Sequence, residues 1–148
     1  MKKFTFRLQV VLDIKEKLLE EKLLEVAKVQ RGLQEAVQKQ KELEGYQIEI
    51  NNALMNVFKS GNDLDVVEIQ RYKDFINKLI VDISNQKVVI QNVQKLLEIK
   101  RKEVNEVLKE KKVLEKLKEN QKKKYYKELE YNSRKELDDI TSSRYRSA

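Results

Sequence analysis

Lys59-Ser60-Gly61-Asn62-Asp63 is the stretch on which the fold turns. It is the one cluster of turn-forming residues that interrupts a strong helical pattern. Before it, apolar residues recur at helical spacing from Leu8 to Val57, and after it they resume from Ile69 to Leu114. Two long helices joined by so short a connection must be antiparallel neighbours. The expectation is an all-α fold, a long two-stranded antiparallel coiled-coil hairpin. Helix one should cover about residues 5–58, the turn 59–63 and helix two about 64–140, with a frayed tail over 141–148. The whole chain then reads as a single hairpin domain.

The seam can be written out on each side of the turn. On helix one, one row is Leu12, Leu19, Val26, Leu33, Gln40, Gln47 and Leu54. The other is Leu8, Lys15, Lys22, Val29, Ala36, Leu43, Ile50 and Val57. Helix two carries Ile69, Ile76, Ile83, Ile90, Leu97, Val104 and Lys111, alternating with Tyr72, Leu79, Gln86, Val93, Lys100, Val107 and Leu114. Most of these positions are apolar, and a 3-4 spacing sustained over this many heptads is a coiled-coil signature. Thr5, with Phe4 before it, is a candidate cap for helix one. Asn62 or Asp63 is the candidate cap for helix two, whose first turns hold Asp65 and Glu68.

The turn also sets the register. Paired residue numbers should total about 126, which matches Val57 with Ile69, Leu43 with Ile83 and Leu19 with Val107. The same register brings Gln40 opposite Gln86. Two amides meeting in one layer would hydrogen-bond and pin the alignment. It also sets Lys15 against Lys111, so both should snorkel outward and the open end should splay. Past residue 122 or so, helix two has no partner. Gly32 and Gly45 lie inside helix one, where each costs about 1 kcal/mol relative to Ala. Either they are tolerated weak spots or they allow close approach of a partner.

Composition agrees with long helices and excludes several function classes. Charged residues make up 39% of the chain, and Pro, Cys, Trp and His are absent. Without Pro nothing forbids uninterrupted helix. Without Cys there is no disulfide framework and no thiolate metal site, which is compatible with a reducing compartment. No apolar run is long enough for a transmembrane span. The basic start Met1-Lys2-Lys3 is not followed by the apolar stretch of a signal peptide. No catalytic constellation, metal site or phosphate-binding loop is present, and no cofactor is expected. Acidic pairs such as Glu16–Glu20 and Glu106–Glu110 would sit on a convex surface. Carboxylates acquire a working pKa in pockets, so the chain reads as non-enzymatic.

The net charge of +7 is unevenly placed, with Lys and Arg outnumbering acids about two to one from Lys95 to Lys127. That stretch is either a solvated flank or an attractor for nucleic acid, acidic lipid or an acidic protein. Two surfaces stand out among the apolar residues. Tyr46 and Phe75 share one flank near the turn, beside Leu43, Ile50 and Leu79, and form a candidate partner patch. At the open end, Phe4, Phe6, Leu8, Val11 and Leu18 face the tail from Leu117 to Ile140. There Tyr125, Tyr126 and Tyr131 are interleaved with Lys122, Lys123, Lys124 and Lys127. Helical spacing and interspersed Glu favour a protein partner over single-stranded nucleic acid at this end.

Three stretches resemble the FliJ family of bacterial flagellar type III export. The opening is Phe4-Thr5-Phe6-Arg7-Leu8-Gln9-Val10-Val11-Leu12. The middle has Arg31-Gly32, Leu43-x-x-Tyr46-Gln47 and Tyr72-x-x-Phe75-Ile76-x-x-Leu79. The tail has Leu117-Lys118-Glu119-Asn120, Tyr125 or Tyr126, and Lys135-Glu136-Leu137-Asp138-Asp139-Ile140. The likeness spans nearly the whole chain, in order, spacing and length. It implies a monomeric antiparallel coiled coil, stalk-like within a ring of the export ATPase, FliI. It also implies contact with the export gate protein FlhA and with export chaperones, in the cytoplasm at the inner membrane. The family's gate-binding patch falls on Leu43, Tyr46, Ile50, Phe75 and Leu79. The ATPase-facing end would comprise Phe6, Leu8, Val11 and Leu18 with Leu117, Tyr125, Leu129 and Leu137. The neighbouring Lys39, Asp82 and Gln86 depart from the family pattern, and Asp82 sets a charge on the rim of the patch. No nucleic acid is expected. The alternatives are a basic coiled coil that binds nucleic acid and a purely structural protein.

Overall fold

The structure is a computed structural model that describes residues 3–61, 63 and 65–147. Two helices account for nearly all of them, α1 (Gln9–Lys59, 51 residues) and α2 (Val66–Ser147, 82 residues), and no strand occurs among the described residues. The helices pack against each other as an antiparallel hairpin. The chain divides into two compact units, one formed by Lys22–Glu103 and the other by the residues up to Glu21 with those from Val104 onward.

The helix ends differ from the expected caps. The Gln9 amide donates to the Phe6 carbonyl at 3.1 Å and the Leu12 amide to the Leu8 carbonyl at 2.9 Å. Helix α1 therefore starts from a tight turn over Phe6–Gln9 and not from Thr5. Its other end is closed by Ser60, whose amide reaches the Asn56 carbonyl (3.0 Å) and whose Oγ donates to the Val57 carbonyl (2.9 Å). Gly61 follows with φ of 68°, the left-handed stop that a residue lacking Cβ adopts without steric penalty. The cap of α2 is Asp65: its carboxylate accepts from the Val67 amide at 3.0 Å and its carbonyl accepts from the Ile69 amide. Asn62 lies outside the described residues, and Asp63 is too far upstream to cap a helix that begins at Val66. At the other end, α2 stays helical to Ser147 where a frayed tail was expected beyond residue 140.

In the Lys22–Glu103 unit the buried side chains are Ala36, Leu79, Ile83, Leu97 and Gln86, flanked by half-buried seam residues at alternating steps of three and four. Apolar area removed from water along this stripe stabilises the pair at roughly 25 cal/mol per Å². Cross-helix ion pairs give the register: Lys22 with Glu103 (3.2 Å) and Glu25 with Lys100 (3.1 Å) both total 125, one short of the expected value.

In the other unit Leu12 is 3% exposed, and Phe6 and Val107 are also buried. The expected splaying does not occur there. Lys15 turns to Glu110 across the seam, and Lys111 turns to Glu115 on its own helix at 3.6 Å. Each of the two opposed ammonium groups thus has its own carboxylate. From Tyr126 through Arg146 every residue is exposed.

Candidate functional site

No group of three or more His, Cys, Asp or Glu that could hold a metal ion occurs among the described residues. What the hairpin offers is surface. In the Lys22–Glu103 unit, Tyr46 and Phe75 are both largely exposed, at 54% and 44%. They make no ring–ring pair among the described residues. Both stand one residue outside the seam, on the flank that the heptad positions dictate.

A hollow of about 340 Å³ lies against Phe75 and is lined by Ile50, Glu68, Arg71, Tyr72 and Phe75. Its apolar floor comes from Ile50 and Tyr72, and Glu68 and Arg71 add charge. A second hollow of similar volume is lined by Lys39, Leu43, Asp82, Asn85, Gln86 and Val89. The five residues expected to form one patch are therefore distributed. Ile50 and Phe75 share the first hollow and Leu43 lines the second. Leu79 is 4% exposed and belongs to the hairpin interior. Glu68 was read in the sequence only as an acid of the first turns of helix two, and Arg71 was not singled out. They precede Phe75 by seven and four residues, the spacing that puts them on its helical face, and that spacing was the available signal.

The polar layer is arranged differently from the expected amide pair. Gln86 is buried, and its Nε2 donates to the Ala36 carbonyl at 2.8 Å, across the seam. Gln40 Nε2 instead donates to Glu44 on its own helix at 3.0 Å. Helical carbonyls point toward the C-terminus, so the Ala36 oxygen leans toward the Gln40 layer. With only a methyl side chain, Ala36 leaves that oxygen accessible to the facing amide.

A charged layer also ties the helices together. Lys22, Glu25, Lys100 and Glu103 form a closed ring in which each ammonium reaches both carboxylates, at 3.1 to 3.6 Å. The ring arises because Lys-x-x-Glu occurs on both helices in antiparallel register. The hydrogen bond from Lys22 to Glu103 is the main cause that raises the Lys22 pKa above 10.5, with burial opposing it. The hydrogen bond from Lys100 is the main cause that lowers the Glu25 pKa below 4.5, again opposed by burial.

In the other unit the residues of the expected ATPase-facing end also divide into two sets. Phe6 is buried, and Tyr125 is half-buried with its ring 5.8 Å from Phe4 and 5.5 Å from Tyr126. Both are engaged in packing the N-terminal segment on α2. Leu8, Val11, Leu117, Leu129 and Leu137 are exposed and Leu18 is half-buried. Leu129 lines a hollow with Tyr126, Glu130, Ser133, Arg134 and Glu136.

With this geometry in hand, the comparison with known families is decisive: the model of the flagellar FliJ protein family matches residues 3–148. The chain belongs to the FliJ family. No curated protein and no solved structure matches it. Membership makes the chain a component of the flagellar export apparatus, in a family of structural export components. No helix among the described residues is long and apolar enough to cross a membrane.

Proposed function

We propose that this FliJ-family chain acts as a non-enzymatic adaptor and stalk in flagellar type III export. It joins the export ATPase, FliI, to the export gate protein FlhA, and it handles export chaperones. It works in the cytoplasm, peripherally at the inner membrane. The observation that carries the reading is the exposed Phe75 with its hollow. An aromatic ring left 44% exposed beside an apolar hollow has unspent area for a partner.

In this reading Tyr46, Phe75, Ile50 and Leu43 meet the gate protein, and Leu79 supports them from inside the seam. The ATPase meets the other end through Leu8, Val11, Leu18, Leu117, Leu129 and Leu137. Phe6 and Tyr125 hold that end in shape. The test is the ATP hydrolysis rate of the cognate flagellar ATPase with and without this chain. Stimulation that tracks ring assembly is expected. An active ATPase that does not respond would remove the stalk role and leave a gate-only adaptor.

A further inference from the structure

Helix α2 carries a basic face that the hairpin does not use. Lys109, Lys112, Lys116, Lys123, Lys127 and Arg134 are all exposed. At about 100° per residue they fall within about 60° of one line along the helix, on the side away from the seam. Between Lys109 and Lys127 that arc contains no carboxylate. Glu119 sits at its edge and pairs with Lys123 at 3.1 Å, and Arg134 pairs with Glu130 at 2.7 Å. Lys109, Lys112, Lys116 and Lys127 make no ion pair among the described residues.

Packing does not explain the face. Solvated coiled-coil flanks usually alternate charges and gain from pairs at i and i+4. Here like charges stand at i and i+4 between Lys112 and Lys116 and between Lys123 and Lys127, which is destabilising for an isolated helix. The same arc also exposes Val113 (68%) and Tyr131 (67%), neither of which has any role in the seam.

We propose that this face docks on an anionic lipid surface. Two features select lipid over other polyanions. The cations lie in a nearly straight row, so a plane of headgroups can engage all of them together. The phosphate backbone of a nucleic-acid duplex winds away from such a row within about half a helical turn. In addition, an aliphatic and a tyrosine side chain among lysines match the headgroup boundary, which accepts both an apolar body and a phenolic hydroxyl. Attraction of this kind falls within a Debye length and is steeply salt-dependent.

The test uses the full chain and vesicles of phosphatidylcholine, with and without phosphatidylglycerol, in a sedimentation assay at low salt. The chain should sediment with the anionic vesicles and stay in solution with the neutral ones. The variant K109Q/K112Q/K116Q should lose about a hundredfold in partitioning. Its substitutions are exposed and remove no ion pair, so circular dichroism at 222 nm should be unchanged. Failure of the full chain to sediment with phosphatidylglycerol, or equal sedimentation of the variant, overturns the proposal. So does tighter binding to a labelled single-stranded oligonucleotide than to the vesicles, which would reassign the face to nucleic acid. The assay needs no ATPase or gate protein, so its failure leaves the export reading untouched.

Discussion

Replacing Gln86 with leucine should make this protein more stable, although it deletes a cross-helix hydrogen bond. Gln86 is 6% exposed and donates to the Ala36 carbonyl at 2.8 Å. Such a bond contributes a net of about 0.5–1.5 kcal/mol. Its loss orphans nothing, because the Ala36 carbonyl keeps its own acceptor role toward the amide four residues on. Leucine has similar volume, and burying it contributes about 1.5–3 kcal/mol. The balance is a gain of about 1 kcal/mol. Gln86→Ala should do the opposite, since it loses the bond and leaves a cavity, at a cost of about 1–2 kcal/mol. Urea unfolding followed at 222 nm reads both. With a slope of about 1–3 kcal/mol per molar, the leucine midpoint should rise by about half a molar. Register should hold in both variants, because the Lys22–Glu25–Lys100–Glu103 ring remains. A leucine variant less stable than the parent by 1 kcal/mol or so would refute the reasoning. It would mean that the amide satisfies the layer in a way that apolar burial does not replace.

Other perturbations bear on the same framework. A Cβ at Gly32 or at Gly45 would meet nothing within 4 Å, so G32A and G45A should each stabilise by about 1 kcal/mol in urea unfolding; a destabilised variant would show that the glycine serves the backbone there. The charged ring should work over a bounded pH range. The depressed Glu25 pKa supports the fold above its ordinary 4.5, and that support is lost as pH falls through the folded value. The raised Lys22 pKa supports the fold below 10.5, and that support is lost as pH rises through the folded value. The unfolding midpoint of E25Q should therefore lie below that of the parent at about neutral pH and converge with it in acid, once the pH has fallen through the lowered Glu25 pKa; a gap that persists there would show that ionisation is not the cause. Y46A and F75A should each weaken capture by the cytoplasmic region of the gate protein at least tenfold, with helicity unchanged; undiminished capture by both would exclude this flank as the gate contact.

The heptad rows, the turn at Gly61 and the antiparallel register within one residue were legible in the chain alone. The exposure of Tyr46 and Phe75 was legible too, since both fall one residue off the rows. Less legible was how the expected patch divides. Whether Leu79 is offered or buried depends on how far the two helices close over it. Phe6 illustrates the same limit. Its apolar character marks it as a contact, and the folded segment around it makes that contact internal. The polar residues of the seam were paired by layer, yet Gln40 bonds to Glu44 and Gln86 to the Ala36 carbonyl rather than to each other. Lys15 and Lys111 were set against each other, yet each side chain is long enough to reach a carboxylate outside the layer, Glu110 and Glu115 respectively.

Periodicity is a one-dimensional property. The spacing of apolar residues, the lack of Pro and the single glycine-bearing break therefore settle a two-helix antiparallel hairpin and its alignment before any coordinate is known. Partner choice among polar groups is a three-dimensional property. It depends on where a backbone carbonyl points, how small the facing side chain is, and which of several carboxylates a lysine stem reaches. Tertiary structure alone therefore sent Gln86 to the Ala36 carbonyl, closed Lys22, Glu25, Lys100 and Glu103 into a ring, and made Asp65 the cap of α2.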